Sequence, residues 1–594
     1  DDTKQQKMVW GVRESGLGAT AFRPGTPRTW EGWEDSAVAP EKLGGYLRDL
    51  RKLLNKYNYV GDLYGHFGQG CVHTRNNFDL ESPKGIEKYR SYIDEAADLV
   101  VSYGGSLSGE HGDGQSRADL LPKMFGEELV GAFREFKSLW DPEWKMNPGK
   151  VVTPYHPTEN LRLGADYRPW SPSTHFQFPD DEGRIDRAVL RCVGVGKCRR
   201  MEAGTMCPSF MATREEEHST RGRARLLFEM FQGEAIPDNW KNEAVKEALD
   251  LCLACKGCKG ECPVNVDMAT YKAEFLSHYY ERRMRPLSAY TMGWIHRWSR
   301  LAELAPWLAN LMMPLLKPLT GIAKERKMPK YARKTFRQLF NVGRASARPT
   351  SEPNRRVVLW PDTFNNHFHP DTALAAAEVL EAAGYHVTIP RKRLCCGRPL
   401  YDWGFLKIAK KLLREILDTL GPEIDEGVAV VGLEPSCVSV FRDELVNLFP
   451  NDPRAKKLSK LAMTLSEFIE REGDRFKLPR LGGKALVQAH CHHAAILGFG
   501  DEEKVLKALG LDVHRPDSGC CGMAGAFGFE EKNYQISTRL GERVLIPEVR
   551  AASPDTLIVA DGFSCREQIH QMTGRETLHL AQVLRRALRN QRGK

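Results

Sequence analysis

The sequence lacks two features that would point to export or to nucleic-acid binding. Its first residues, DDTKQQKMVW, have no charged segment followed by an apolar one, which a targeting signal would need. The net charge of +9 is spread over basic helices and tails, and no basic run is interleaved with aromatic residues. We therefore predict a cytoplasmic protein without a nucleic-acid partner. Because those residues also lack an initiator Met, we expect the chain to be the C-terminal part of a longer protein.

The connector at residues 286–350 lacks an uninterrupted apolar segment. Its apolar patch, WLANLMMPLLKPLTGIAKERK, is broken by proline and is too short to cross a bilayer, which takes about 20 continuous apolar residues. The patch could still lie at the inner face of a membrane, near a quinone. We expect it to pack between domains instead.

The rest of the chain divides into three blocks with different patterns. Residues 1–165 mix Gly-rich strand-like pieces with helical periodicity and predict an α+β domain. Residues 186–285 predict helices interrupted by cysteine turns. Residues 355–594 alternate short apolar strands such as VVLW and VAVVGL with helices, which is an α/β pattern. We therefore predict a multidomain protein of mixed α+β and α/β class.

Fifteen cysteines, crowded into CxxC and CC spacings, indicate metal binding in a reducing compartment rather than disulfides. The run CLACKGCKGECP has the spacing of bacterial ferredoxins, in which the fourth cysteine ligates the other cluster of a pair. A zinc knuckle is the alternative, but its cysteine pairs are normally separated by a longer loop. The cysteines of the run are Cys252, Cys255, Cys258 and Cys262.

The partner motif lies upstream, in CVGVGKCRRMEAGTMCP. Cys207 takes the place of the remote fourth ligand and completes a 4Fe-4S cluster with the first three cysteines of the run. The second cluster is left with Cys192, Cys198 and Cys262, because Val195 stands where the regular spacing has a cysteine. Three thiolates predict a 3Fe-4S cluster, or a 4Fe-4S cluster whose fourth iron has another ligand. The pattern resembles the iron–sulfur subunit of succinate dehydrogenase, which implies a helical two-cluster ferredoxin-like domain with a 3Fe-4S centre.

The last block repeats itself, since LCCGRP is answered by GCCGMAG and each precedes a strand that ends in a lone cysteine. It resembles the cysteine-rich, or CCG, domain of heterodisulfide reductases and of the iron–sulfur subunits of glycolate and glycerol-3-phosphate oxidation. Adjacent cysteines can place two thiolates on neighbouring irons, so the resemblance implies a further cluster. The thiols concerned are Cys395, Cys396 and Cys437 in the first copy and Cys491, Cys520, Cys521 and Cys565 in the second.

The two copies do not match the family pattern equally well. Thr363 stands where the family often opens a copy with another cysteine, which weakens the case for a cluster in the first copy. Buried reduced thiols kept for packing are the alternative. His490, His492 and His493 flank Cys491. We do not assign them as ligands, because a histidine beside a strand end is more often structural.

The first block carries the residues for substrate chemistry. The stretch GHFGQGCVH places His66 and His73 on a Gly-rich segment that favours a strand and a bend over a helix. The stretch SLSGEHGDG adds Glu110 and His111. Two imidazoles and one carboxylate predict a three-ligand site with open positions for a divalent metal such as zinc, manganese or iron.

These pieces, together with WGVRESG and DPEWKMNPGKVV, resemble the C-terminal domain of FAD-linked D-2-hydroxyacid dehydrogenases, a group that includes D-lactate, glycolate and D-2-hydroxyglutarate enzymes. The resemblance implies a metal bound by His66, His73 and Glu110. It also implies that His111 is the base at the substrate hydroxyl and that Arg13 binds the substrate carboxylate. Cofactor contacts are implied for Asn147 and Lys150.

The chain departs from that family in two respects. Gln69 and Cys71 replace the acid and the asparagine of the usual histidine motif. Nothing in the chain resembles the flavin-binding domain of the family, so the main FAD contacts must lie in an N-terminal domain outside it. We predict the C-terminal portion of a flavin and iron–sulfur D-2-hydroxyacid dehydrogenase that passes electrons to a quinone or a soluble carrier.

D-2-hydroxyglutarate is the first substrate we consider, because the resemblance to long single-chain enzymes of this group implies it and because Arg23, Arg28 and Arg117 could meet a second carboxylate. D-lactate is the second. The alternative function is a non-catalytic electron-transfer subunit similar to heterodisulfide reductase. A peripheral membrane contact and a homo-oligomer are further expectations.

Overall fold

A computed structural model describes most of the chain, namely residues 2–22, 26–202, 204–344 and 355–592. The chain divides into two compact units, Asp1–Pro169 and Trp170–Lys594. The domain boundaries that we predict inside the second unit stay predictions.

The first unit contains a three-stranded antiparallel sheet in the order β1-β3-β2. The strands are β1 (Ser36–Ala37), β2 (Gly61–Tyr64) and β3 (Cys71–Asn76). The helices are α1 (Thr3–Glu14), α2 (Gly16–Ala21), α3 (Leu43–Lys56), α4 (Pro83–Ser102) and α5 (Leu121–Trp140), the last of which is broken at Gly126. Helix α4 begins where the Ser82 side chain accepts a hydrogen bond from Gly85 N. Its apolar face packs with that of α3 in the core of the unit.

The second unit begins with short helices separated by the cysteine turns. They are α6 (Ile185–Val189), α7 (Pro208–Thr213), α8 (Thr220–Gln232), α9 (Glu243–Asp250), α10 (Gly257–Glu261) and α11 (Met268–Tyr279). The connector adds α12 (Leu287–Thr291), α13 (Ile295–Ala302), α14 (Pro306–Leu316) and α15 (Phe336–Arg344). In the described part of the chain, no helix combines the length and the apolar character that crossing a bilayer requires.

The tandem block begins with a parallel sheet in the order β5-β4-β6-β7. The strands are β4 (Arg356–Trp360), β5 (His386–Thr388), β6 (Ala429–Gly432) and β7 (Ala462–Thr464). The helices are α16 (Thr363–His367), α17 (Pro370–Ala382), α18 (Arg398–Tyr401), α19 (Leu406–Thr419), α20 (Gly421–Asp425), α21 (Pro435–Arg442), α22 (Glu444–Leu448), α23 (Pro453–Leu461) and α24 (Leu465–Glu472).

A second parallel sheet follows in the order β10-β8-β9, with its first strand in the centre as β4 is in the first sheet. The strands are β8 (Lys484–Val487), β9 (Asp512–His514) and β10 (Leu557–Val559). A π-helical turn, His493–Leu497, precedes the helices α25 (Gly500–Ala508), α26 (Tyr534–Glu542), α27 (Leu545–Ala551), α28 (Phe563–Thr573) and α29 (Leu580–Arg592).

The predicted repeat of an α/β unit is thus confirmed, with one correction to its detail. The lone cysteines do not end the strands. Cys437 and Cys565 lie in the first turns of α21 and α28, which follow β6 and β10. Helix α21 can begin soon after β6 because Pro435 occupies its first position, where the missing N–H of proline loses no hydrogen bond within the helix.

Candidate active site and cluster sites

In the first unit, three imidazoles converge on one oxygen of Glu110. The distances to Glu110 Oε1 are 3.2 Å from His66 Nε2, 3.0 Å from His73 Nε2 and 3.5 Å from His111 Nε2. The rings of His73 and His111 are stacked, with centroids 4.7 Å apart. The side chains expected to bind a metal and to act as base are therefore neighbours. Nitrogen and oxygen donors that face one point fit a divalent ion.

The Gly-rich motif places its two histidines at different depths. His66 lies between β2 and a short turn, whereas His73 points inward from β3, where it is 2% exposed. Gly65 adopts a φ of +142°, and a side chain there would collide with the backbone of Cys71. Burial, and then the charge of His111, lower the pKa of His73, so its imidazole stays neutral as a metal ligand must be.

Asp35, a residue without a motif of its own in the sequence, organises this site. Its carboxylate accepts hydrogen bonds from Glu110 N at 3.0 Å, from His111 N at 2.7 Å and from Ser108 Oγ at 2.6 Å. Burial alone would raise the pKa of Asp35, but these hydrogen bonds lower it to about 2. An ionised carboxylate therefore fixes the backbone that carries two functional side chains. Nothing in the local sequence WEDS signals this, because the partners lie more than 70 residues away.

A second acidic side chain, Glu34, orients His111. Glu34 Oε1 lies 3.2 Å from His111 Nδ1, and the ring edge that carries Nε2 faces Glu110. Burial, and then the nearby Glu31, raise the pKa of Glu34. A proton on Nδ1 that is held by this carboxylate would leave Nε2 with a lone pair that can accept a proton. This arrangement suits the expected role of His111 as a base.

The structure places the other expected site residues as follows. Arg13 Nη2 lies 3.0 Å from His66 Nε2, and its Nε is buried without a hydrogen-bond partner in the described structure. Lys150 donates to Gln115 Oε1 at 2.7 Å, and Asn147 is exposed with a φ of +46°. Arg13 thus lies with the metal and base residues, while the cofactor contacts of Asn147 and Lys150 stay predictions.

The arginines considered for a second substrate carboxylate are not equivalent. Arg117 is 4% exposed and donates to the backbone oxygens of Glu34 and Gly112, which makes it a structural residue. The guanidinium of Arg28 lies over the Trp30 ring, 4.0 Å from its centroid. Arg23 lies outside the described residues.

Cys71, one of the two departures from the family motif, forms a hydrogen bond of its own. Its thiol donates to Asp35 Oδ1 at 3.2 Å. Burial, and then the hydrogen bond to Asp35, raise the pKa of Cys71 to about 12. The side chain therefore stays a neutral thiol that holds the organising carboxylate.

The thiols of the helical block lie close together in two places. All fifteen cysteines of the chain are described and reduced. A hydrogen bond with Cys207 lowers the pKa of Cys198 to about 6, and Cys207 Sγ also accepts from Thr220 N at 3.0 Å. Burial raises the pKa of Cys258 to about 12. The contact between Cys198 and Cys207 joins thiols that we assign to different clusters. The assignment of Cys207 to the cluster of Cys252, Cys255 and Cys258, and of Cys262 to that of Cys192 and Cys198, stays a prediction.

A buried ion-pair network joins the ferredoxin-like loop to the first cysteine-rich copy. Lys256, which follows Cys255, is 1% exposed and lies 2.8 Å from both Asp267 and Asp443. Glu444 lies 3.2 Å away. Burial alone would lower the pKa of Lys256, but the carboxylates raise it. Because removing one member of a buried pair costs about 3–5 kcal/mol, this network fixes the loop that carries Cys255.

The first cysteine-rich copy has three thiols and one hydroxyl. Cys396 Sγ lies 2.9 Å from Cys437 Sγ, and the Thr363 hydroxyl donates to Cys395 Sγ at 3.6 Å. Thr363 therefore occupies the place of the thiol with which the family often opens a copy. Two buried carboxylates, Asp362 and Glu434, lie near these thiols and disfavour their ionisation.

The second copy has four thiols that lie together. Hydrogen bonds join Cys491 to Cys520 and Cys521 to both Cys520 and Cys565. All four are buried, between 2% and 6% exposed. Cys255 of the ferredoxin-like loop packs in the same hydrophobic cluster as Cys491 and Cys520. The four thiols fit a cluster, and they lie beside those of the ferredoxin-like run.

A cavity of about 130 Å³ opens next to Cys491, between the two copies and the connector. Its walls are mostly apolar and include Met313, Met328, Phe364, Phe368, Phe529 and Phe563. Its polar lining includes Glu434, His490 and His492, and His492 Nε2 is buried without a hydrogen-bond partner among the residues described. An apolar cavity with a few convergent polar groups is typical of a small-molecule site.

Three family models match the chain in separate segments. The C-terminal domain of FAD-linked oxidases matches residues 1–151, and a 4Fe-4S dicluster domain matches residues 188–266. A cysteine-rich domain matches twice, at residues 362–442 and 501–570. These matches confirm the resemblances to the FAD-linked oxidase C-terminal domain and to the CCG domain, together with the predicted fold class, and they support FAD and iron–sulfur clusters as cofactors. Cys491 lies just before the second cysteine-rich match.

Similar proteins extend these matches over nearly the whole chain. The chain is 29% identical over 629 residues to the D-2-hydroxyglutarate dehydrogenase of Pseudomonas putida. The aligned region covers 97% of this chain and 60% of that protein. It is 26% identical over 638 residues to the Escherichia coli protein of the same name, and that alignment covers 97% of this chain and 61% of that protein. It is 32% identical over 244 residues to lactate utilization protein A of Bacillus licheniformis, 39% of this chain and 98% of that one. The chain therefore spans about three fifths of the length of the two dehydrogenases.

Proposed function

Because the chain belongs to the FAD-linked oxidases that also carry 4Fe-4S dicluster and cysteine-rich domains, we propose that it is the substrate and electron-transfer portion of a D-2-hydroxyacid dehydrogenase. D-2-hydroxyglutarate is the first substrate we propose and D-lactate the second. One observation carries the proposal: His66, His73 and His111 converge on Glu110, with Arg13 against His66. A subunit that only transfers electrons would have no need for this arrangement.

The side chains divide the work of oxidation among them. Arg13 binds the substrate carboxylate through its guanidinium, which suits a planar anion. His111, held by Glu34 at Nδ1, accepts the hydroxyl proton at Nε2. His66, His73 and Glu110 would hold a divalent ion, which when bound lowers the pKa of the substrate hydroxyl. FAD, held mainly by a domain outside this chain, supplies the acceptor for the α-hydride, and the 2-oxoacid is the product.

We propose that the electrons leave through the thiol sites of the second unit. The packing of Cys255 in the same hydrophobic cluster as Cys491 and Cys520 supports a path from the ferredoxin-like run to the second cysteine-rich copy. Iron–sulfur clusters, when bound there, carry single electrons. The buried Lys256 network would keep the two parts of this path at a fixed separation.

A quinone is the acceptor that the cavity next to Cys491 favours over a soluble carrier. An apolar cavity of about 150 Å³ admits a benzene ring, so the cavity here suits the ring of a small aromatic acceptor. Met313, on α14, lines the cavity, while Trp307 and Leu315 of the same helix are 71% and 68% exposed. Both side chains are thus exposed, whereas we expected the apolar patch of the connector to pack between domains. They support a peripheral membrane contact at α14.

The membrane contact can be tested by flotation of the protein with liposomes. We expect the full-length protein to float and Leu315→Asp to reduce its binding. Leu139→Asp is the matched control, because Leu139 is 79% exposed on another helix of the chain. Equal binding by both variants would refute the contact at α14, and so would a wild-type protein that stays at the bottom of the gradient.

The proposed oxidation is tested by removing the metal and its ligand from the full-length protein. We expect chelation and His73→Ala each to reduce turnover of D-2-hydroxyglutarate to near background, because the metal activates the hydroxyl. His111→Ala should lower kcat by about 100- to 10,000-fold, the usual contribution of a general base. His514→Ala, at an exposed histidine of the second unit, is the control. Unchanged turnover after both chelation and His73→Ala would exclude a catalytic metal here.

A further inference from the structure

Three ionisable side chains meet in the interior of the second cysteine-rich copy. His493 lies at the start of the π-helical turn after β8, Glu502 in the first turn of α25, and Asp561 soon after β10. Their exposures are 0%, 0% and 4%, and their potential ligand atoms all lie within 4.8 Å of one another. The fold therefore brings one imidazole and two carboxylates together from three separate segments.

The polar atoms of this group are not satisfied by the surrounding protein. Both ring nitrogens of His493 and both carboxylate oxygens of Glu502 are buried without a hydrogen-bond partner among the described residues. His493 Nδ1 lies 3.3 Å from Glu502 Oε2, but the two atoms are not aligned as a hydrogen bond. Because native proteins rarely leave buried polar atoms unpaired, these four atoms indicate a partner that is not a protein side chain.

The charge of the group also calls for a cation. In the part of the chain that the structure describes, no lysine or arginine forms an ion pair with Glu502 or Asp561, although the buried Arg566 acts on Asp561 from a longer distance. His579 lies 3.4 Å from Asp561, but it is neutral, because its Nδ1 accepts from Ala581 N while its Nε2 donates to Leu433 O. A divalent cation beside a neutral imidazole would balance the two buried carboxylates.

We propose that His493, Glu502 and Asp561 bind one Zn²⁺ ion. Imidazole and carboxylate are zinc ligands, and both oxygens of Glu502 are available, so that a bidentate carboxylate would complete four donors. The Leu580 N–H, 2.9 Å from Asp561 Oδ1, orients that carboxylate as the neighbours of metal ligands commonly do. The site is closed and buried, which is typical of structural zinc.

The position of the site indicates what the ion would stabilise. His493 is two residues after Cys491, and Asp561 is four residues before Cys565. The ion would link the segments that carry these two thiols to each other and to α25, which carries Glu502. This role depends neither on the dehydrogenase activity nor on the metal proposed in the first unit.

Protonation without an ion is the competing explanation. Burial alone would lower the pKa of His493, but the nearby Glu502 carboxylate raises it, so a protonated imidazole could also offset a carboxylate. Burial, and then the negative charge of Asp561, raise the pKa of Glu502 to about 7, so the carboxyl could stay protonated without an ion. In that case Glu502→Gln would replace a neutral carboxyl with a neutral amide of the same shape and change little. A zinc site would instead lose a ligand.

The first experiment measures zinc, iron and acid-labile sulfide in the purified full-length protein, in a His73→Ala background that removes the site of the first unit. We expect Glu502→Gln to contain one zinc per chain less than its parent, with the iron and sulfide of the ferredoxin-like clusters retained. Glu503→Gln is the matched control, because Glu503 lies on the same helix and pairs with Arg515 at the surface. Equal zinc in the parent and in Glu502→Gln would overturn the proposal.

The second experiment does not depend on a variant that folds. Diffraction data from crystals of the wild-type protein, collected on either side of the zinc absorption edge, should give an anomalous difference peak between His493, Glu502 and Asp561. Iron cannot produce a peak that vanishes just below the zinc edge. No peak at this position, in crystals grown from protein supplied with zinc, would overturn the proposal as well.

Discussion

The two cysteine-rich copies share the order of their first three strands and the CCG turn, yet their thiol sites differ in composition. Near the end of the central strand, the first copy has Thr363 and the second has Cys491. The hydroxyl of Thr363 hydrogen-bonds Cys395, as Cys491 does Cys520. One copy therefore presents three thiols and the other four.

The surroundings of the thiols also differ, because they favour ionisation of Cys491 in the second copy and oppose that of Cys437 in the first. In the second copy, a hydrogen bond with Cys520 and the nearby His490 outweigh burial and lower the pKa of Cys491 to about 7. In the first copy, Cys437 also has a hydrogen bond that lowers its pKa, from Cys396. Burial and the carboxylates near it nevertheless raise that pKa to about 11.

Cluster ligands must be thiolates, so the charges nearby matter as much as the number of cysteines. The second copy has the His490 imidazole beside Cys491, whereas the first has Asp362 beside Cys437. The Glu434 carboxylate acts on thiols of both copies, Cys437 and Cys565. From the fourth thiol and the imidazole beside Cys491 we expect a cluster in the second copy rather than in the first. The first copy then serves to anchor the Lys256 network and to line the cavity.

The largest expected effect comes from removing equivalent thiols in the two copies. Cys521→Ser should remove one cluster per chain, because Cys521 hydrogen-bonds two other thiols of the second site. Cys396→Ser, the matched change in the first copy, should leave iron and sulfide unchanged. Iron and sulfide analysis of anaerobically purified protein measures both. Equal iron losses in the two variants would show that the copies bind clusters alike.

The sequence predicted the parts of this comparison that are local. The CC turns, the alternation of apolar strands and helices, and the missing thiol at Thr363 are all visible within short stretches. The charges around the thiols are not. Glu434 accepts from Phe563 N, 129 residues away, and this contact exists only once both sheets have formed.

The same limit applies to the active site of the first unit. Its histidines and Glu110 stand in recognisable motifs, and the fold brings them together as the family resemblance implies. Asp35 and Glu34 could not be predicted, because a buried acid in an ordinary loop has no sequence signature. The exposed α14 was also unexpected, since an apolar pattern indicates burial but does not say against what.

The contrast between three and four thiols extends to the ferredoxin-like block, where Val195 stands in place of a cysteine. If Cys192, Cys198 and Cys262 are the only protein ligands there, the oxidised protein should give the paramagnetic signal of a 3Fe-4S centre. Val195 is 40% exposed and lies between two glycines of positive φ, so Val195→Cys removes little packing. We expect this change to add about one iron per chain and to reduce the oxidised signal.

Electron paramagnetic resonance and iron analysis of the two proteins decide this point. Val195→Ser is the control, because it changes the same position without adding a thiolate. An oxidised wild-type protein without the signal, and with eight irons in the ferredoxin-like block, would mean that another residue ligates the fourth iron.

The smallest effect is expected from Thr363→Cys, which gives the first copy its fourth thiol. The new side chain should reach Cys395, as the hydroxyl does now. Asp362 and Glu434 would still oppose ionisation of the thiols, so we expect only partial occupancy by iron. Adding Glu434→Gln should raise that occupancy, because it removes one of the two charges. If Thr363→Cys alone fills the site completely, the number of thiols decides cluster binding and the surrounding charge does not. If the double variant binds no iron, the two copies differ in a way that neither ligand number nor field explains.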